Sequence, residues 1–163
     1  SDLKFNEFHL RFSIEHCTDG YLIVDELVRN HVQCLLGPTV GGKGKIEARN
    51  KTFKAGQILE NAGITFGLIT DAPFVPIEGQ LLQAALYVKN GLSREMALKC
   101  LTINNAIITD IDSRVGSLEP GKDADVVIWD VEPLATLSQV VIIDGQIAYR
   151  RKAGESNVDY QKL

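Results

Sequence analysis

The sequence predicts an α/β protein: a parallel sheet built from strand–helix units, followed by a small antiparallel β unit. Three observations carry this. From residue 10 to about residue 107, short apolar runs alternate with stretches of helical spacing, the pattern of parallel strands joined by right-handed crossovers. Near residue 112 the pattern changes, and Gly116, Pro120 and Gly121 punctuate a chain that turns β-rich. The length of 163 residues, 45% of them hydrophobic and 23% charged, suffices for one ordinary domain with a core.

The elements follow in order. Residues 10–17 read as a strand, with Leu10, Phe12, Ile14 and His16 on one face and Cys17 on the other. Thr18 and Asp19 offer N-caps for a helix over 21–29, spaced by Leu22, Ile23, Leu27 and Val28. Residues 32–36 form a second strand, ended by Gly37-Pro38, and a loop of Gly41, Gly42, Lys43, Gly44 and Lys45 follows. Residues 53–61 predict a helix with Gly63 beyond its end. A third strand over 64–70 runs into Asp71-Ala72-Pro73, where proline stops the ladder. A helix over 77–90 is closed by Gly91, and Ser93 caps another carrying Met96, Leu98, Leu101 and Ile107. Residues 126–129, 140–143 and 146–149 read as strands, the last two joined by an Asp144-Gly145 turn. The expected division is 1–110, 111–150 and a polar tail over 151–163.

Composition excludes several classes. A net charge of −4 argues against a protein that grips nucleic acid. No apolar run reaches the length of about 18 residues that a membrane span needs. The chain opens Ser1-Asp2-Leu3-Lys4 without a basic-then-apolar leader. Cys17, Cys34 and Cys100 are odd in number and form no CxxC pair, which fits a reducing cytoplasm better than a disulfide framework or a cysteine zinc site.

Two residues could carry chemistry. His16 and Asp71 both end strands of the parallel series, two βα units apart. Taken alone, His16 also fits a hydrogen-bonded structural role and Asp71 a turn residue before proline. Together, an imidazole and a carboxylate suit a divalent metal, and a carboxylate beside an activated water can take its proton. Gly37-Pro38-Thr39-Val40-Gly41-Gly42-Lys43 satisfies the spacing of a phosphate loop. However, Gly44 stands where Ser or Thr should reach Mg²⁺, and Pro38 removes a backbone N–H. A glycine-rich loop over the strand ends is the favoured reading. His9 and His31 look structural or exposed.

Phe12-Ser13-Ile14-Glu15-His16-Cys17, Gly37-Pro38-Thr39 and Leu68-Ile69-Thr70-Asp71-Ala72-Pro73 resemble successive strand ends of the amidohydrolase superfamily, closest to imidazolonepropionase-related, prolidase-like members. The run Val115-Gly116-Ser117-Leu118-Glu119-Pro120-Gly121-Lys122-Asp123-Ala124-Asp125-Val126-Val127 and the segment Val141-Ile142-Ile143-Asp144-Gly145 resemble the closing part of such enzymes. The resemblance implies the last three βα units of a (β/α)8 barrel plus part of a small β-sandwich. It implies that His16 binds metal at the sixth strand end. Asp71, at the eighth, would ligate metal and handle the proton of the attacking water, with Thr39 at the substrate side of the seventh. Ala72 stands where the family often has histidine.

The implied chemistry is hydrolysis of amide or cyclic amidine-like C–N bonds in a small-molecule substrate, with a divalent metal, zinc foremost, as cofactor. The family's His-x-His of strand one, its lysine or glutamate of strand four and its histidine of strand five have no counterpart here. The expectation is therefore a C-terminal part of such an enzyme, inactive alone and able to exist without bound metal. Raw strand edges on both sides predict a homo-oligomer. The competing reading is a non-catalytic α/β interaction module.

Overall fold

The computed structural model describes residues 12–129, 133–134 and 140–150. Its first part holds three βα units. Strand β1 (Ser13–Ile14) leads through a 3-10 turn (Gly20–Ile23) into α1 (Val24–Arg29), then β2 (Gln33–Leu36). A second 3-10 turn (Ile46–Ala48) precedes α2 (Lys54–Asn61) and β3 (Phe66–Leu68). Helices α3 (Gly79–Lys89), α4 (Arg94–Leu101) and α5 (Ile103–Ile108) follow. The three strands pair in parallel in the order β1-β2-β3, with Ile14 beside Cys34, Cys34 beside Phe66 and Leu36 beside Leu68.

Strands buried on both faces need continuous apolar runs. Cys34, Leu36, Phe66 and Leu68 are fully buried and pack with Leu27, Ala55, Leu59, Tyr87, Ala97 and Cys100. Each such aliphatic side chain contributes roughly 2 kcal/mol by leaving water. Phe53 meets Tyr87 edge-on at 5.1 Å. Gly63, at φ +70°, ends α2 as expected: its N–H bonds the Glu60 carbonyl and the Ile64 N–H bonds that of Leu59, the Schellman arrangement. Ser93 Oγ caps α4 by accepting from the Met96 N–H at 3.1 Å, and it donates to the Glu60 carboxylate at 2.5 Å.

Several expectations need correction. The first strand is short: its described part is Ser13–Ile14, and Leu10 lies outside the described residues. Asp19 makes no cap bond; its Oδ2 accepts from Asn50 instead, at 3.3 Å. The helix begun at Ser93 does not run to Ile107. It breaks at Thr102 (φ −132°, ψ −101°), whose hydroxyl donates back to the Leu98 carbonyl at 2.7 Å.

The outer edge of β3 is also not raw. Thr65 O accepts from Cys34 N and Ile69 N donates to Leu36 O, so by the alternation of a parallel ladder the Phe66 and Leu68 carbonyls point away from β2. Phe66 O accepts from Asn104 Nδ2 at 2.8 Å and Cys100 Sγ at 3.1 Å. Leu68 O accepts from Gln80 Nε2 at 2.6 Å and Asn105 Nδ2 at 3.1 Å. Helical side chains occupy the acceptors that a neighbouring strand would use.

The second sheet is antiparallel, in the order β4 (Val126–Ile128), β5 (Val140–Ile143) and β6 (Gln146–Arg150). Asp144 and Gly145 both have positive φ, as a two-residue hairpin turn requires. No helix among the described residues is long and apolar enough to cross a membrane.

Candidate metal centre

His16 and Asp71 leave the ends of the two outer strands of the parallel sheet. Each sits in the left-handed region, at φ 54° and φ 55°. This breaks the strand's alternation, so His16 does not simply continue the face of Phe12 and Ile14. The turned backbones bring the two side chains together: His16 Nε2 lies 3.8 Å from Asp71 Oδ1, with both side chains about half exposed. Cys17 faces the other way and is buried. It hydrogen-bonds Cys34, whose thiol is pushed well up by that bond and by burial.

The donor set is right for two positions on one divalent ion. Two ligand atoms on a tetrahedral zinc stand about 3.3 Å apart, from bond lengths of about 2.0–2.1 Å. The observed pair would have to close by roughly half an ångström, which half-exposed side chains can do. Among the described residues no group of three or more His, Cys, Asp or Glu converges anywhere. An ion held here would find two protein ligands in this pair, where a catalytic zinc usually has three.

A pocket of about 620 Å³ opens beside the pair, and His16 and Asp71 both line it. Gly37 and Pro38 reach it from the end of β2, Gly42 and Gly44 from the glycine-rich loop, and Phe74 from the turn after Asp71. Thr18, Asp19, Lys45 and Lys51 add to its polar wall.

Thr39 lies elsewhere. It is buried; its N–H donates to Gln83 Oε1 at 2.8 Å and its hydroxyl pairs with the Tyr87 hydroxyl. Both groups tie the end of β2 to α3. Gly37 is the residue the close approach demands: at φ +131°, an added Cβ would sit 2.2 Å from the Ile69 carbonyl oxygen. The loop does not form a phosphate cradle opening a helix. It leads into a 3-10 turn, and Lys43 Nζ is held by the Arg49 carbonyl at 3.0 Å. His31 is exposed in the turn between α1 and β2 at φ 51°, and His9 lies outside the described residues. Lys51 escapes sequence reasoning, because nothing in the polar run around it signals burial.

Comparison with known proteins agrees with this architecture. The family model described as "Amidohydrolase family" matches residues 10–152. An amidohydrolase of Hapsidospora irregularis is 34% identical over 90 residues, 55% of this chain and 9% of that protein. The crystal structure of an amidohydrolase from Thermotoga maritima is 35% identical and superposes with a TM-score of 0.85, covering 90% of this chain and 39% of that one. A Xaa-Pro dipeptidase solved with methionine in its active site is 26% identical, with a TM-score of 0.62 over 86% of this chain and 40% of that one. The chain thus spans well under half the length of these relatives. With the match running through both sheets, the chain belongs to the amidohydrolase family.

Proposed function

We propose that this chain forms the C-terminal part of a metal-dependent hydrolase of C–N bonds in small molecules, contributing His16 and Asp71 to its centre. The observation that carries the reading is the 3.8 Å approach of His16 Nε2 to Asp71 Oδ1 at the ends of two parallel strands. Family membership supports the reaction class, and coverage of about two-fifths of the solved relatives supports a partial (β/α)8 barrel. The two separate sheets support a division near residue 110.

A divalent ion such as zinc, when bound, acidifies a water and polarises the scissile group. His16 would offer Nε2 as a neutral ligand. Asp71 would offer one carboxylate oxygen to the ion and use the other to take the proton of the attacking water, then return it to the leaving nitrogen. The pocket beside them would hold the substrate, and the glycine-rich loop would form part of its wall.

Cobalt or zinc titration of the chain tests this. We expect weak binding that falls at least about 10-fold in His16→Ala and Asp71→Ala, since each removes a ligand. Hydrolysis of an amide panel by this chain that persists in chelator would refute the proposal. In the assembled enzyme, Asp71→Asn is expected to lower kcat by at least about 10²-fold, through lost proton transfer.

A further inference from the structure

Where the parallel ladder runs out, a side chain takes over. Cys34 N donates to Thr65 O, so by the alternation of a parallel pair the donor facing Ile69 O falls at residue 38. That residue is Pro38, which has no N–H. Gln83 Nε2 donates to the Ile69 carbonyl instead, at 2.9 Å. Its Oε1 accepts from Thr39 N at 2.8 Å and from Val40 N at 3.5 Å. One carboxamide on α3 thus bridges the ends of β2 and β3, and Gln83 is fully buried. Packing alone would be served by an apolar side chain of the same size, at no cost in buried polar groups. Gly37 leaves room for the bridge: an added Cβ would sit 3.0 Å from Gln83 Nε2.

The candidate centre lies just beyond. Asp71 is two residues past Ile69 and leaves the ladder in the left-handed region. After it, the chain is held by Phe74 N on Asp71 O at 2.8 Å and by Val75 N on Thr70 O at 3.3 Å. Before it, Ile69 is held by its own N–H on Leu36 O at 3.1 Å and by the Gln83 amide on its carbonyl. We propose that Gln83 is a positioning residue of the centre: it supplies the donor that Pro38 cannot, and through the Ile69 carbonyl it fixes the backbone from which Asp71 meets His16. The inference rests on the reading that this pair holds a metal ion.

The test is cobalt titration of the chain, with denaturant unfolding measured on each variant. Gln83→Met keeps the size of the side chain and removes the bridge. We expect it to weaken cobalt binding about 10-fold, as loss of a ligand's supporting partner does. In an Asp71→Ala background the same change should have no further effect on cobalt, because no carboxylate is left to position. Tyr87→Phe removes the hydroxyl paired with Thr39 and leaves the Ile69 bond intact. It should lower stability without changing cobalt affinity. Lowered stability with cobalt affinity intact in Gln83→Met would overturn the proposal, and so would an equal loss of affinity with and without Asp71. Should Gln83→Met fail to fold, the side-chain amide signals of Gln83 in the wild type decide. They must shift with zinc and stay unmoved in Asp71→Ala; no shift in the wild type refutes the proposal. A wild-type chain that binds no cobalt would sink the metal reading and this inference with it. Cobalt binding that Asp71→Ala weakens and Gln83→Met does not would sink this inference alone.

Discussion

The parallel and antiparallel sheets of this chain have strands of similar length and opposite energetics. In the parallel sheet, β3 is buried along its whole length and β2 along most of it. In the antiparallel sheet every residue of β6 is exposed, and none of β4, β5 or β6 is fully buried. Backbone hydrogen bonds close both sheets, but net stabilisation from such bonds is modest beside apolar burial. Folding strength, and with it the rigidity of the candidate centre, therefore lies with the parallel sheet and the helices packed on it.

The comparison is most sharply tested by paired truncations. Leu68→Ala, at a fully buried position at the end of β3, should cost about 3 kcal/mol in denaturant unfolding. Ile147→Ala, at a side chain 56% exposed, should cost about 0.5 kcal/mol or less. Equal losses would break the contrast.

Gly67→Ala comes next, at about 1–3 kcal/mol. Its Cβ would fall 1.7 Å from Asn105 Oδ1, forcing that side chain off the Leu68 carbonyl. The penalty should shrink in an Asn105→Ala background, a coupling that a double-mutant cycle measures.

A further effect is expected at alkaline pH. Burial pushes the Cys100 thiol up to about 12 from an ordinary value of 9.0. Between those values the unfolded chain has released a proton that the folded chain still holds. Stability must then fall as pH rises from about 9 to about 12, by at most about 1.4 kcal/mol per pH unit for this group, and it is unaffected by this group below that window. Cys34, raised by its bond with Cys17 and then by burial, and Tyr87, raised by burial, act in the same direction, whereas Cys17, lowered by its bond with Cys34, acts in the opposite one. Cys100→Ala should flatten the slope; an unchanged slope would assign it to Cys34 and Tyr87.

Much of the sheet order was legible because it depends on local signals. The apolar runs at 32–36 and 64–70, Gly63, the Ser93 cap and Asp144-Gly145 each act within a few residues, and the structure places an element or turn at each. Strand-end position also put His16 and Asp71 in line to meet. What escaped depends on distant partners. The break at Thr102 sets the start of α5, whose Asn104 and Asn105 reach carbonyls of β3, 38 and 37 residues away in sequence. The burial of Lys51 is likewise created by Pro38 and the pocket, and no periodicity around residue 51 announces it.

The amide side chains along the outer side of β3 have one further consequence. Any strand arriving there, whether from the remainder of a barrel or from a second copy, must first displace Gln80, Asn104 and Asn105 from the Phe66 and Leu68 carbonyls. Docking on that flank is then an exchange of hydrogen bonds at nearly constant number, each worth about 1 kcal/mol net, and so readily reversible. The side chains thus hold the acceptors that an arriving strand would need.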